Sequence, residues 1–273
     1  MEHMATNDRR MAAIAEILRY QNDIGVESRL QSMGVDRFGE PTAPTTSEAA
    51  SSTALKESSG NRSVKIQNTG GAIERATSAA AQATSIKDLE KAVCDFDGCP
   101  LKETALNTVF ADGVAGANVM LVGEAPGSNE DRVGKPFVGV SGQLLDTMLG
   151  HIGLIREKNF YITNCVFWRP PGNRKPNPAE VAACLPFTRK HIALVRPKIL
   201  VLVGGLAVQT LIDSSLKITR ARGQWFDYLL DDGSTIPAIP LLHPAYLLRT
   251  PLSKRETWRD LLALKTRLLM QDN

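Results

Sequence analysis

Residues 119–146 read VMLVGEAPGSNEDRVGKPFVGVSGQLLD, and the fold follows from how this stretch begins. Val119 to Val122 is a short unbroken apolar run, the pattern of a strand buried on both faces, and it stops at Gly123-Glu124-Ala125-Pro126-Gly127. The chain must turn there. The glycines permit close backbone approaches that a Cβ blocks and Pro126 stiffens the bend, which holds the Glu124 carboxylate at the strand's C-terminal end. Beyond the turn, Glu130 and Asp131 add two acids and Lys135-Pro136-Phe137 presents an aromatic ring on a loop. Ser141 is placed to cap a helix from Gln143 to Ile152.

Outward from this stretch, apolar strand-like runs at 118–123, 160–164, 198–203 and 236–242 alternate with helical patterns at 141–152, 178–194, 206–213 and 254–270. That alternation predicts an α/β fold, a parallel sheet flanked by helices. The strands end in GEAPG, in Thr163-Asn164 leading to FWRPPGNR, in Gly204-Gly205 and in HPAYLLR from His243 to Arg249. Ligands of open α/β sheets bind outside the C-terminal edge, so an acid, an amide, a histidine and an aromatic are expected to converge on one crevice. Around it Arg169, Arg174, Lys175, Arg249, Lys254, Arg255 and Arg259 form a candidate phosphate track, where charges of this kind otherwise mark a solvated face. No Gly-Lys-Ser/Thr follows the turn and no GxGxxG spacing is present, so neither a Walker loop nor a dinucleotide fingerprint is read.

Upstream, Met11, Ile14, Ile17 and Leu18 share one face of a predicted helix within 8–22. Residues 40–84 turn to Ser, Thr, Ala, Gly and Pro without periodicity and read as a disordered linker, which divides the chain into an N-terminal helical arm (1–39), the linker (40–84) and a folded domain (85–273) opening with a helix from Lys87 to Val93. With 273 residues and 43% apolar content, a sizeable core is available. No run reaches the ~18 apolar residues of a membrane span and the N-terminus lacks a signal peptide's apolar core, so a cytoplasmic protein without membrane contact is expected. The net charge is +3, with the basic excess in the C-terminal part, which is compatible with a polyanion partner. Four cysteines in that compartment read as free thiols or metal ligands rather than disulfides.

The segments GEAPGSNEDRVGKPFVGVSGQLLD, YITNCVFWRPPGNRKP, LVLVGG and HPAYLLR resemble, in order and spacing, the family-4 branch of the uracil-DNA glycosylase superfamily. The resemblance implies a three-layer α/β/α fold around a four-stranded parallel sheet and a monofunctional enzyme that flips uracil, or another deaminated base, out of DNA and hydrolyses its glycosidic bond. It implies a water-orienting carboxylate at Glu124, with Asp131 as the alternative, in a turn whose Gly123, Ala125, Pro126 and Gly127 border the base. It further implies Phe137 as a stacking ring, Asn164 as the reader of the uracil edge and His243 as a donor to O2. Tyr246, Leu247, Leu248 and Arg249 would wedge the DNA, with Arg169, Arg174, Lys175 and Lys254 on phosphates. The partner is uracil-containing DNA, single- or double-stranded, bound by a monomer.

Two departures stand out. Better-known members of the superfamily carry an Asp where this chain has Ala125, which keeps open a second reading, a damaged-DNA binding module without turnover. Family-4 enzymes hold a four-iron cluster on four cysteines. Here Cys99 and Cys184 match two of those positions while Phe96 and Trp168 occupy the others, and Cys94 and Cys165 are displaced from them. A [4Fe–4S] cluster needs four thiolates, so no cofactor is expected, with apolar packing in the cluster's place.

Overall fold

The structure, a computed structural model, describes residues 69–271. The helix expected within 8–22 and the linker as far as residue 68 lie outside the described residues.

In chain order the strands are β1 (Ala111–Gly113), β2 (Val119–Gly123), β3 (Phe160–Asn164), β4 (Ile199–Val203), β5 (Phe226–Leu229) and β6 (Thr235–Leu241). They form one six-stranded sheet in the order β1-β3-β2-β4-β6-β5. The inner four, β3-β2-β4-β6, are parallel, and β1 and β5 close the edges antiparallel to β3 and β6. The four-stranded parallel sheet expected from the sequence is therefore the centre of a larger, mixed sheet. β1 and β5 escape sequence reading because three or four residues carry no usable periodicity.

The helices are α1 (Thr69–Gln82), α2 (Ile86–Asp95), α3 (Ser128–Val133), α4 (Val140–Gly150), α5 (Pro178–Val195), α6 (Gly205–Leu211), α7 (Ile218–Ala221), α8 (Pro244–Arg249) and α9 (Lys254–Gln271). Every residue of β2, β3 and β4 is buried, so successive side chains must find apolar cover on opposite faces. Val119 and Leu121 of β2 pack with Leu145 and Leu149 of α4 and with Leu261 and Leu264 of α9. Met120 and Val122 pack with Ile192 and Val195 of α5 and with Ala207 and Val208 of α6. This is the three-layer α/β/α arrangement.

One boundary needs correction. Residues 69–82, assigned to the linker by composition, are helix α1, which packs on α5 in the same compact unit as the sheet. Its buried residues include Ala72, Ala76 and Ala80, a stripe of methyl groups one turn apart that lets two helix backbones approach closely. A second, smaller change is at α4, which starts at Val140 with Gly139 as its N-cap, so Ser141 lies inside the first turn rather than capping it.

Candidate active site

The C-terminal ends of β2, β3, β4 and β6 open into one cavity of about 610 Å³. Glu124, Ala125, Pro126 and Gly127 from the turn after β2 line it, together with Phe137, Asn164 and His243. Glycine is required at the end of β2: a Cβ on Gly123 would stand 2.4 Å from both Asn164 Oδ1 and Phe137 Cζ. The close approach of that ring and amide to the strand end therefore depends on the missing methyl. Gly123→Ala is expected to displace ring and amide together; on the uracil-containing DNA that the sequence resemblance implies, turnover should fall by about 10²-fold while affinity changes little, as single-turnover rates and a binding titration would show.

Phe137 adopts φ +55, the left-handed region that costs a residue with a Cβ roughly 1–3 kcal/mol. Its ring is tilted 32° to that of His243 at a centroid distance of 5.8 Å. Glu130 holds the loop that carries it. The buried Glu130 carboxylate accepts from Gly127 N (3.1 Å), Val138 N (3.0 Å) and Gly139 N (2.8 Å), tying the turn after β2 to the phenylalanine loop. Asn164, 1% exposed, has an Oδ1 with no hydrogen-bond partner. A buried, unsatisfied carbonyl costs about 1–3 kcal/mol unless a ligand donor or water meets it.

His243 caps α8: its Nδ1 accepts from Ala245 N at 3.2 Å. That bond places the ring proton on Nε2. Burial first, then the charge of Arg249, lowers the His243 pKa to about 4, against a smaller upward pull from Glu130. The imidazole is thus neutral at physiological pH. Burial raises the Glu124 carboxyl above its ordinary range, and the Lys175 ammonium opposes that shift. Lys175 and Arg249 are exposed cations at the cavity, which Ile218 and Thr219 of α7 also line, a wall that no sequence motif announces.

With this geometry in place, the family model described as the uracil DNA glycosylase superfamily matches residues 110–262. The chain belongs to the uracil-DNA glycosylase superfamily. Among its relatives, the type-4 uracil-DNA glycosylase of Pyrobaculum aerophilum is 35% identical over 180 residues, covering 64% of this chain and 91% of the relative. That of Thermotoga maritima is 41% identical over 152 residues, 55% of this chain and 77% of the relative. That of Archaeoglobus fulgidus is 36% identical over 180 residues, 64% and 89%.

Not every residue assigned to the glycosylase site by motif is found there. Asp131, 2% exposed, faces away from the cavity: its Oδ1 accepts from Leu106 N (2.8 Å) and Asn107 N (3.1 Å), a loop-fastening role that leaves Glu124 as the catalytic carboxylate candidate. Leu247 is fully buried and cannot wedge DNA, whereas Tyr246 and Arg249 are exposed and Leu248 is half-buried. Arg174 lines the cavity, but both arms of its guanidinium bond the buried Glu180 carboxylate at 2.6 and 2.9 Å. Arg169 Nε donates to Asn173 Oδ1 (2.7 Å) and Nη1 lies 3.9 Å from Asp131; Arg169 does not reach the cavity wall. Lys254 is exposed outside the cavity.

The cysteines do not fit a four-iron cluster. Cys99 and Cys184 are buried free thiols joined by a hydrogen bond. That contact, then burial, pushes the Cys184 thiol well above its ordinary range. Cys94 is exposed, and Cys165 belongs to the core beneath the sheet with α5 and α6. Phe96 and Trp168 pack around the Cys99–Cys184 pair with Phe187; Phe96 and Phe187 meet edge-on at 5.0 Å. Trp168 Nε1 donates to Thr108 Oγ1 at 3.0 Å. Among the described residues, no three His, Cys, Asp or Glu side chains stand together as a metal site.

Proposed function

We propose that the cavity at the sheet edge receives a uracil extruded from DNA and hydrolyses its N-glycosidic bond, leaving an abasic site. The observation that carries this reading is the unpartnered Oδ1 of Asn164 beside the Phe137 ring. A carboxamide offers one acceptor and two donors. With the uracil ring on Phe137, Oδ1 accepts from N3–H and Nδ2 donates to O4. Cytosine, with a lone pair at N3 and an amino group at C4, mismatches both.

Departure of the base leaves negative charge on uracil, largely at O2, and positive charge on the sugar. His243 meets the first as a neutral donor through Nε2–H, oriented by the bond that Nδ1 accepts from the α8 backbone. Glu124 meets the second with its carboxylate and orients the attacking water; its raised pKa makes it a better base than an ordinary surface glutamate. Lys175 and Arg249 hold flanking phosphates, and Tyr246 contacts the stack the base has left. No motif makes a lysine the Schiff-base nucleophile, and Lys175, the lysine at the cavity, is given to a phosphate in this reading, so the enzyme is monofunctional.

The enzyme works without an iron–sulfur cluster. Packing of Phe96 and Trp168 around Cys99 and Cys184 supports this, since two bulky rings take the volume that a cluster and its other two thiolates would need. Protein purified anaerobically is expected to contain neither iron nor acid-labile sulfide; stoichiometric amounts of both would contradict the proposal. The activity is tested with uracil-containing single- and double-stranded oligonucleotides followed by alkali. Strand scission at uracil is expected, and tight binding without scission would leave a damage-binding module instead.

A further inference from the structure

Arg156 sits in the loop between α4 and β3, outside every motif of the site, yet its side chain is only 9% exposed. Its Nη1 donates to the carbonyl of Pro136 and its Nη2 to the carbonyl of Phe137, both at 2.8 Å. Two carboxylates hold the guanidinium in that pose. Asp146 of α4 accepts from Nε at 3.2 Å and Nη2 at 2.9 Å, and Asp112 of β1 accepts from Nη1 at 3.3 Å. We infer that Arg156 is a positioning residue for the reaction proposed above, acting through the backbone of Phe137 to aim its ring into the cavity.

Successive carbonyls alternate sides in extended chain and share a side in helical backbone, right- or left-handed. By bonding both carbonyls from one planar fork, Arg156 selects the helical kind at Phe137. The left-handed member, φ +55, is the one observed, with the ring against Gly123. The other side of the same peptide is closed by Gly142, where a Cβ would stand 1.9 Å from the Phe137 oxygen. Edge strand β1 thereby gains a purpose beyond the sheet, since it carries Asp112, which also pairs with Lys135 at 3.1 Å on the same loop.

Lysine at 156 keeps the charge and loses the fork. Resting on the glycosylase reading, the test is a cycle of Arg156→Lys and Phe137→Ala in the full chain, measured as single-turnover uracil release at saturating enzyme. Arg156→Lys is expected to slow release by ~10- to 10²-fold with unchanged affinity for uracil-free duplex, and to add nothing in the Phe137→Ala background. A wild-type rate, or a loss that multiplies with that of Phe137→Ala as general destabilisation would, overturns the inference. If Arg156→Lys does not fold, Asp146→Asn in the same cycle decides, with a smaller loss expected and the same non-additivity; full additivity overturns. Failure of the unaltered protein to release uracil would instead strike the glycosylase reading itself.

Discussion

Asn164→Ala lowers single-turnover uracil excision by about 10³-fold, the largest loss expected of any single side chain in the cavity. The substitution removes an acceptor and a donor in one step, and it leaves the N3–H and O4 of a flipped uracil without their protein partners, where each missing partner is costly. Because Asn164 is 1% exposed and its Oδ1 bonds nothing in the protein, deleting the side chain breaks no internal hydrogen bond of that atom. The melting temperature should therefore change little while the rate collapses. A loss under tenfold would mean that the amide does not read the base.

His243→Ala is expected to cost about 10²- to 10³-fold in the same assay, the usual value of one donor aimed at developing negative charge. Its pH signature separates it from Glu124. With a His243 pKa of about 4, the neutral donor persists throughout the working range. Glu124 is active as the carboxylate and its pKa is raised by burial, so the rate climbs as pH rises through the Glu124 pKa and then stays level. No inflection from His243 is expected near 6.5. In Glu124→Gln, about 10²-fold slower at neutral pH, the acid limb should vanish. An inflection near 6.5 that survives in Glu124→Gln would show that His243 titrates there and acts as a cation.

The parts of this site that were legible in the sequence are those fixed locally. An apolar run that ends in GEAPG or in HPAY states its own strand and its own turn, and the sheet topology then brings those turns to one edge. What stayed hidden depends on partners distant in sequence. Asp131 reads as a second catalytic acid until the 106–107 loop is seen to claim it. Leu247 reads as a wedge until α8 turns it into the core. Arg174 reads as a phosphate ligand until Glu180, buried at the start of α5, is found between both its arms. Arg156 reads as an ordinary loop cation, because nothing in its neighbourhood along the chain predicts that it meets the carbonyls of residues 136 and 137. Helix α1 reads as linker for a compositional reason: alanines that allow close helix packing look the same, in sequence, as alanines in a tract without structure.

On the cluster-free reading proposed above, the packing of Phe96 and Trp168 with Cys99 and Cys184 takes over the structural part that a cluster plays in family-4 enzymes. Where four thiolates on a metal would cross-link segments covalently, here rings of Phe96, Trp168 and Phe187 join α2, the segment after β3 and α5 by burial alone. Each such ring contributes on the order of 1.5–3 kcal/mol on burial, enough to hold neighbouring segments together.

The central claim is that one extruded uracil lodges against Phe137, Asn164 and His243 at once. A crystal structure of the protein bound to DNA carrying a nonhydrolysable deoxyuridine analogue tests it most directly. The expected result is the uracil ring stacked on Phe137, its N3 and O4 on the Asn164 amide and its O2 within hydrogen-bond reach of His243 Nε2. A base still stacked in the helix, or flipped into any other part of the surface, would contradict the account.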